Sequence, residues 1–307
     1  MLFYVFDLKP VESVMKFGTE IAKLQDPMAF IAITIQDSNR ANTMFELWGN
    51  EYQKWQPSPE QRVFLVSSNG SPNNSLPCLS LPSNYQKMRD SLFVGEYGPH
   101  FDRCIKRVYS VDYFVHNTTA DFLALITDDV YVDLENLKEF INDMYSYGDP
   151  KTEPMVFGHC IDVEWVYLQG GSGYILSRRA AELMIRYGYE HMNALFEYDD
   201  IYFTRWFMKL GISMYETSSD RVIGHDFLGS NVHQIISHDW GRFPTCPETL
   251  DSVYCKVGPF RINRLAIFHQ KSHQSAIDFG RAVGKRDIPN NIYWYQKGLF
   301  NYLCKKD

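Results

Sequence analysis

One short stretch, residues 121–137, constrains the fold of this 307-residue chain more than any other. Residues 122–126 form a continuous apolar run of strand length, which ends abruptly in Thr127, Asp128 and Asp129. Desolvating two adjacent carboxylates costs several kcal/mol unless a cation or hydrogen-bond donors compensate them. We therefore expect this pair at a cleft mouth, at the carboxyl end of a sheet, where metal ions and diphosphates are held. The plainer alternative is a solvated turn or a cap for the next helix.

A helix is predicted directly after the acidic pair. Asp133 is of a residue type that caps helices. Apolar residues then recur at helical spacing, at Leu134, Leu137, Phe140, Ile141 and Met144.

The rest of the chain alternates between strand-like and helix-like patterns. Strands are predicted at 29–35, 62–66, 78–81 and 155–158, and a helix after the first of them passes through Trp48. A second helix precedes the acidic strand, with apolar positions at Phe101, Cys104, Ile105, Val108, Val111 and Val115. This alternation predicts an α/β fold with a mostly parallel sheet flanked by helices. Residues 28–307 are expected to form one domain, preceded by a lead-in segment at 1–27.

Three glycines in four residues, Gly170, Gly171 and Gly173, follow a further strand-like segment. Glycine lets a backbone come close to a bound molecule, although a turn between elements explains the pattern equally well. Ser177 is then placed to cap the following helix.

A second acidic pair, Asp199 and Asp200, precedes a helix that Gly211 is expected to stop. Acidic residues at a helix start are also what the helix dipole favours, so a structural explanation stays open. His269 ends an apolar strand-like run and could face the acidic tip as a second metal ligand. A lone histidine is nevertheless more often structural than a ligand.

Composition limits the function classes. The formal charge of −7 argues against a nucleic-acid partner, which usually requires clustered Lys and Arg. The six cysteines include no Cys-x-x-Cys pair, so a closed zinc site is not expected; Cys246 and Cys255 could close a local disulfide. Sequons at Asn73 and Asn117, both expected in surface loops, and the even cysteine count favour an oxidising secretory compartment.

Four segments, in this order, resemble the fringe-like and core 1 β1,3-galactosyltransferase-like inverting glycosyltransferases. They are residues 127–132 (Thr-Asp-Asp-Val-Tyr-Val), residues 170–177 (Gly-Gly-Ser-Gly-Tyr-Ile-Leu-Ser), Asp199-Asp200 with Gly211-Ile212, and residues 267–269 (Ile-Phe-His). Thr127 departs from the family pattern, which has a third aspartate there.

The resemblance implies a GT-A type nucleotide-sugar-binding fold that uses a UDP-sugar and Mn²⁺. Carried over by position, Asp129 and His269 would be the metal ligands, and Asp128 would contact the ribose or metal-bound water. Asp200 would be the catalytic base, with Asp199 beside it.

Lys106 would contact the nucleotide or its phosphates. Gly170, Gly171 and Gly173 would shape the wall around the sugar.

The activity implied is β1,3 transfer of galactose from UDP-galactose to N-acetylgalactosamine on O-glycosylated protein. A fringe-like N-acetylglucosamine transferase, or a non-catalytic glycan-binding or chaperone-like relative, is the alternative. The resemblance further implies a glycoprotein acceptor, the lumen of the Golgi or endoplasmic reticulum, and a single-pass type II membrane anchor. No such anchor is visible in this sequence, because the apolar start at 1–6 is too short to span a bilayer. A homodimer is a possible form.

Overall fold

The structure is a computed structural model. It describes residues 27–34, 40–54, 63–67, 77–92, 98–162, 166–188, 198–217, 221–223, 243–247, 260–269, 273–284, 288–297 and 300–306. Several predictions fall outside this part of the chain: most of the lead-in at 1–27, the sequon at Asn73, and Cys255.

The strands, in chain order, are β1 (Met28–Ile33), β2 (Val63–Ser67), β3 (Cys78–Ser80), β4 (Phe122–Thr127), β5 (Val130–Val132), β6 (Met155–Gly158), β7 (Cys160–Asp162), β8 (Val166–Leu168), β9 (Tyr174–Ser177), β10 (Ser213–Glu216), β11 (Val222–Ile223), β12 (Phe260–Arg261), β13 (Ile267–His269), β14 (Ile292–Lys297) and β15 (Phe300–Lys305). The helices are α1 (Arg40–Met44), which continues through a π-helical turn (Phe45–Gly49) into α2 (Asn50–Lys54), then α3 (Ser83–Leu92), α4 (Gly98–Asn117), α5 (Leu134–Tyr145), α6 (Arg178–Gly188), α7 (Asp199–Lys209) and α8 (His273–Gly284), with a 3-10 turn at Ile262–Arg264.

A seven-stranded sheet in the order β10-β6-β9-β4-β1-β2-β3 forms the centre of the molecule. Neighbouring strands are parallel except where β9 pairs antiparallel with β4 and β6. Strands β1, β2 and β4 are buried along their whole length, which explains why they are continuous apolar runs rather than alternating ones. The predicted α/β architecture with a mostly parallel sheet flanked by helices is confirmed.

The order of the strands reverses at one point. From β1 the chain adds β2 and β3 on one side, and β4 then pairs with β1 on the other. In sheets of this kind, ligands bind outside the carboxyl ends of the strands at such a switch point. Thr34 follows β1 and Asp128 follows β4 at this edge, and the Asp128 backbone N–H donates to the Ile33 carbonyl at 3.1 Å.

Two apolar layers cover the sheet. Helix α4 packs on one face and buries the predicted stripe, including Cys104, Ile105, Val108 and Val111. The other face is covered by α1, α2 and α5, where Phe30 lies 5.0 Å from Trp48 between ring centroids. The Trp48 indole N–H donates to the Val130 carbonyl at 3.2 Å and thereby ties this layer to the strand after the acidic pair.

The predicted helix signals are confirmed where the structure describes them. Asp133 caps α5 by accepting from the Asn136 N–H at 2.9 Å, and Ser177 Oγ accepts from the Ala180 N–H at 3.2 Å. Gly211 follows α7 with φ of +67°, in the left-handed region that favours glycine. Boundaries differ from prediction by a few residues, as at β1, which ends at Ile33 instead of 35.

A small three-stranded sheet carries β5 beside the acidic turn. Strand β13 pairs antiparallel with β5, and His269 lies opposite Val130, one residue after Asp129. Helix α8 packs behind this sheet, where a Cβ at Gly280 would lie 2.4 Å from the Tyr131 ring. Register alone therefore places the end of β13 against the carboxyl end of β4.

Two expectations about the chain's periphery differ from the structure. The predicted Cys246–Cys255 disulfide is wrong, because Cys246 pairs with Cys304 at the end of the β14–β15 hairpin. Asn117 was expected in a loop but is the last residue of α4, exposed, with its side-chain N–H donating to the Tyr113 carbonyl. Among the described helices, none has the length and apolar character that crossing a bilayer requires.

Candidate functional site

A cleft of about 300 Å³ opens at the carboxyl end of β4, between the start of α4, the glycine segment and the start of α7. Its walls carry aromatic, basic and acidic side chains together with two backbone segments. The lining residues are His100, Arg103, Arg107, Thr127, Tyr167, Gln169, Gly171, Tyr198, Asp199, Asp200, Ile201 and His269.

The predicted metal ligands are in direct contact, and His269 lines one end of this cleft whereas Asp129 is not among the lining residues. His269 Nε2 lies 3.1 Å from Asp129 Oδ1, and both side chains are buried. Thr127 Oγ1 lies 2.7 Å from the same Asp129 oxygen and 2.8 Å from the Gly171 carbonyl oxygen. The single hydroxyl proton of Thr127 is shared between these two acceptors, so this residue supplies a neutral hydrogen-bond donor beside Asp129 where the resembling family has a charge.

Lys106 and Asp128 lie at the switch point but are not part of the cleft lining. Lys106 Nζ is 2.7 Å from the Thr34 carbonyl oxygen, 3.0 Å from Thr34 Oγ1 and 2.7 Å from Asp102 Oδ2. An ammonium group has three donors, so these contacts use all of them. Lys106 thus fixes α4 to the end of β1, and its contact with a nucleotide stays a prediction, as does the role of Asp128.

Asp200 lies in the first turn of α7 and borders the cleft. Burial and the negative charge of Asp199 raise the pKa of Asp200 from 3.8 to about 6, against the opposing charge of Arg107 and a hydrogen bond from the Gly170 N–H. The residue before the helix, Tyr198, makes no side-chain capping bond. A carboxylate in this state is ionised near neutral pH yet has enough proton affinity to accept a proton.

Asp199 is held by three basic side chains from α4. Its Oδ1 lies 3.2 Å from His100 Nδ1 and 3.1 Å from Arg103 Nη2, and its Oδ2 lies 3.6 Å from Arg107 Nε. Although burial opposes ionisation, the charge of Arg107, with His100 and Arg103, keeps the pKa of Asp199 well below its usual range. The two neighbouring carboxylates are therefore pushed in opposite directions, Asp199 towards the anion and Asp200 towards the acid.

The glycine segment is required by close approach rather than by a turn alone. A Cβ on Gly170 would lie 2.2 Å from Arg107 Nη1 and 2.5 Å from Asp200 Oδ1. A Cβ on Gly171 would lie 2.6 Å from His269 Nδ1. Gly173 has φ of +101°, and its Cβ would meet Ile126 at 2.8 Å. Gly170 and Gly171 thus let the segment touch the basic, acidic and imidazole groups, and Gly173 lets it pack against the end of β4. The contact of the three glycines with a sugar stays a prediction.

No family model matches the chain. Solved structures that are similar to it include a glycosyltransferase involved in the glycosylation of the major capsid of PBCV-1, with 10% identity and a TM-score of 0.43, covering 85% of this chain and 100% of that one. The galactosyltransferase LgtC, in complex with donor and acceptor sugar analogues, has 10% identity and a TM-score of 0.41 over 86% of this chain and 97% of its own. A197 from STIV has 12% identity and a TM-score of 0.31, over 62% and 82%. At such TM-scores the likeness carries neither fold nor activity to this chain, so both rest on its own geometry.

Sequence reasoning missed the basic residues of the cleft. His100, Arg103 and Arg107 are spaced three and four apart, so they share one face of α4. Arg107 also falls three residues after Cys104 and four before Val111, on the stripe identified as apolar, and only 1% of its surface is exposed. A charged residue on a buried stripe signals a buried partner, which here is Asp199.

Proposed function

We propose that this chain is an inverting glycosyltransferase of the GT-A type that transfers a sugar from a UDP-sugar to a hydroxyl acceptor. The observation that supports it best is the arrangement of one cleft at the switch point of the sheet. An ionisable carboxylate with a raised pKa, Asp200, lies on one wall, and His269, which contacts the buried Asp129, lies on another.

The proposed transfer reaction depends on Asp200 as its general base. Asp200 accepts the proton of an acceptor hydroxyl while the hydroxyl oxygen forms a bond to the anomeric carbon. The bond from that carbon to the diphosphate oxygen breaks on the opposite face, so a nucleoside diphosphate leaves with the bonding electrons and the configuration inverts. A single displacement needs no carboxylate nucleophile, and Asp199, which is paired with basic side chains of α4, keeps the pKa of Asp200 high.

Asp129 and His269 are the residues that would hold a divalent ion. One carboxylate and one imidazole suit Mn²⁺, and their donor atoms already converge within 3.1 Å. The described residues contain no group of three or more His, Cys, Asp and Glu placed to hold a metal, so the remaining positions would fall to diphosphate oxygens and water, as is common for ions at phosphate sites. When bound, Mn²⁺ neutralises charge on the departing diphosphate.

The finer assignment rests on the resemblance of the four sequence segments. It comprises a UDP-galactose donor, an N-acetylgalactosamine acceptor on O-glycosylated protein, and a β1,3 linkage. We further propose the lumen of the Golgi or endoplasmic reticulum, reached through a membrane anchor. The Cys246–Cys304 disulfide supports an oxidising compartment.

Binding of a sugar nucleotide without turnover is the second candidate. Thr127 supports it, since the acidic turn has one carboxylate fewer than in the resembling family. Retention of the Asp200 environment favours the enzyme.

Calorimetry of UDP binding tests the metal site. We expect binding in Mn²⁺ to exceed binding in EDTA by about tenfold or more, and Asp129→Ala or His269→Ala to remove this dependence with most of the affinity. His116→Ala, a change at an exposed histidine on α4, is the matched control and should bind like the wild type. Equal UDP affinity of the wild type in EDTA would contradict the metal site.

Transfer from UDP-galactose and UDP-N-acetylglucosamine to a panel of glycosides tests the reaction and its donor. The product's anomeric configuration, read by NMR, tests inversion. Metal-dependent UDP binding without hydrolysis or transfer would favour the non-catalytic candidate.

A further inference from the structure

The guanidinium of Arg107 has two nitrogens without a hydrogen-bond partner among the described residues. Its Nη2 donates to the Gly170 carbonyl at 2.8 Å, and its carbon lies 5.0 Å from the centre of the Tyr174 ring. Among the residues that the structure describes, Nε has only the 3.6 Å ion-pair contact with Asp199 Oδ2, and Nη1 has no hydrogen-bond partner, although the side chain is almost completely buried and borders the cleft. Buried donors without partners are costly, so this arrangement is typical of a site that a ligand oxygen completes.

An acceptor lies beside these donors. The Cβ position that Gly170 lacks is 2.2 Å from Arg107 Nη1 and 2.5 Å from Asp200 Oδ1, so the two groups are neighbours against the Gly170 backbone, and both residues line the cleft. A hydroxyl group both donates and accepts, and it matches such a pair by donating to the carboxylate while its oxygen accepts from the guanidinium.

The charges at this end of the cleft balance. Arg103 and Arg107 stand against Asp199 and Asp200, and among the described residues that line the cleft there is no other Arg, Lys, Asp or Glu. An anionic ligand here would find no surplus positive charge, and the diphosphate would have to be compensated at the other end, by the Asp129–His269 pair and its ion. This half of the cleft therefore suits an uncharged group.

An aromatic side chain flanks the same half. Tyr198 directly precedes Asp199, has 54% of its surface exposed, and borders the cleft. Its ring meets the His100 ring edge-to-face, with 4.6 Å between centroids and 90° between planes. That contact orients the ring, and an exposed, oriented aromatic ring is a contact surface for the C–H face of a sugar.

We propose that Arg107, Asp200 and Tyr198 form a subsite for an uncharged pyranose. One hydroxyl of the sugar lies between Arg107 and Asp200, and the apolar face of its ring packs on Tyr198. Arg107 is then a positioning residue for the hydroxyl that reacts. The inference rests on the proposed function only for that reaction, because sugar binding is measurable without it.

Saturation-transfer NMR with two matched probes tests the charge requirement. Methyl α-galactoside is uncharged, and the methyl glycoside of α-galacturonate has the same ring with one carboxylate added. We expect the galactoside to bind, with or without UDP and Mn²⁺, and the galacturonate to bind at least about tenfold more weakly. Equal or tighter binding of the galacturonate, or no galactoside binding under either condition, overturns the subsite.

Tyrosine variants test the location. Tyr198→Ala should weaken galactoside binding about five- to tenfold, and Tyr198→Trp should retain it. The matched control is Tyr187→Ala on α6, which removes a similarly exposed ring, 49% accessible, that does not line the cleft. If Tyr198→Ala and Tyr187→Ala bind the galactoside with the same affinity, Tyr198 does not form part of the subsite.

Arg107→Lys keeps the charge but removes the forked donors, and should raise the acceptor KM about tenfold or more with little change in donor KM. If this buried variant does not fold, the comparison of the two glycosides and the Tyr198 variants still test the subsite. Binding that depends on Tyr198 in a protein without transferase activity would refute the proposed function and leave the subsite standing. Sugar transfer that Tyr198→Ala leaves unchanged would refute the subsite and leave the proposed function standing.

Discussion

Asp200→Asn is expected to stabilise the protein while nearly abolishing its turnover. The pKa of Asp200 is about 6 in the folded chain and 3.8 ordinarily. A tenfold change in acidity is worth about 1.4 kcal/mol, so the ionised carboxylate destabilises the folded state by about 3 kcal/mol at neutral pH. Asparagine resembles the protonated acid in shape and charge, and therefore removes this penalty.

The size of this stabilisation depends on pH. Below pH 3.8 both folded and unfolded chains hold the proton, and the contribution of Asp200 to folding is intact. As the pH rises from 3.8 through about 6 that contribution is lost, because the unfolded chain has already released the proton that the folded chain still binds. The stability difference between Asp200→Asn and wild type should accordingly be small at about pH 4 and grow to on the order of 2–3 kcal/mol at about pH 7.5.

Urea unfolding of both proteins at the two pH values measures this difference, and other titrating groups cancel in the comparison. Asp90→Asn, at an exposed carboxylate on α3, is the control and should change stability little at either pH. In transfer assays, Asp200→Asn should lower kcat by a factor on the order of 10² to 10⁴, and the wild-type rate should fall on the acid side of pH about 6. A mutant that loses about 1 kcal/mol at neutral pH and keeps its turnover would refute this reasoning and leave Asp200 a helix-start residue.

Three further changes follow from the same geometry. Asp199→Asn should lose about 3–5 kcal/mol in urea unfolding, because it leaves two arginines from α4 without their shared partner; a loss below about 0.5 kcal/mol would contradict the ion-pair cluster. Gly170→Ala should cost about 1–3 kcal/mol and most of the turnover, because the new methyl group would lie 2.2 Å from a guanidinium nitrogen, whereas Gly158→Ala, with nothing nearer than 3.5 Å, should behave like wild type. Thr127→Asp should lower the melting temperature in EDTA, because it sets a second buried carboxylate beside Asp129, and Mn²⁺ should reverse the loss; a more stable mutant in EDTA would show that the two side chains are not adjacent.

Local patterns were sufficient for most of the elements. Strand β4, the caps at Asp133 and Ser177, and the stop at Gly211 depend on short-range rules, such as apolar runs, capping side chains and left-handed glycine. Strand and helix alternation also identified the sheet as mostly parallel. Disulfide pairing followed no local rule, since Cys246 bonds to Cys304, with a sequence separation of 58.

The sequence by itself determined which residue types could do chemistry: two acidic pairs, a glycine segment and a histidine at a strand end. Only the tertiary structure decided the pKa values and the partners of these residues. Asp199 and Asp200 are adjacent in the chain, yet their pKa values move in opposite directions because three basic side chains of α4 reach one carboxylate and burial dominates the other. The reason is physical: a pKa and a buried partner depend on desolvation and on charges a few ångströms away, and the residues that supply them lie almost a hundred positions away along the chain.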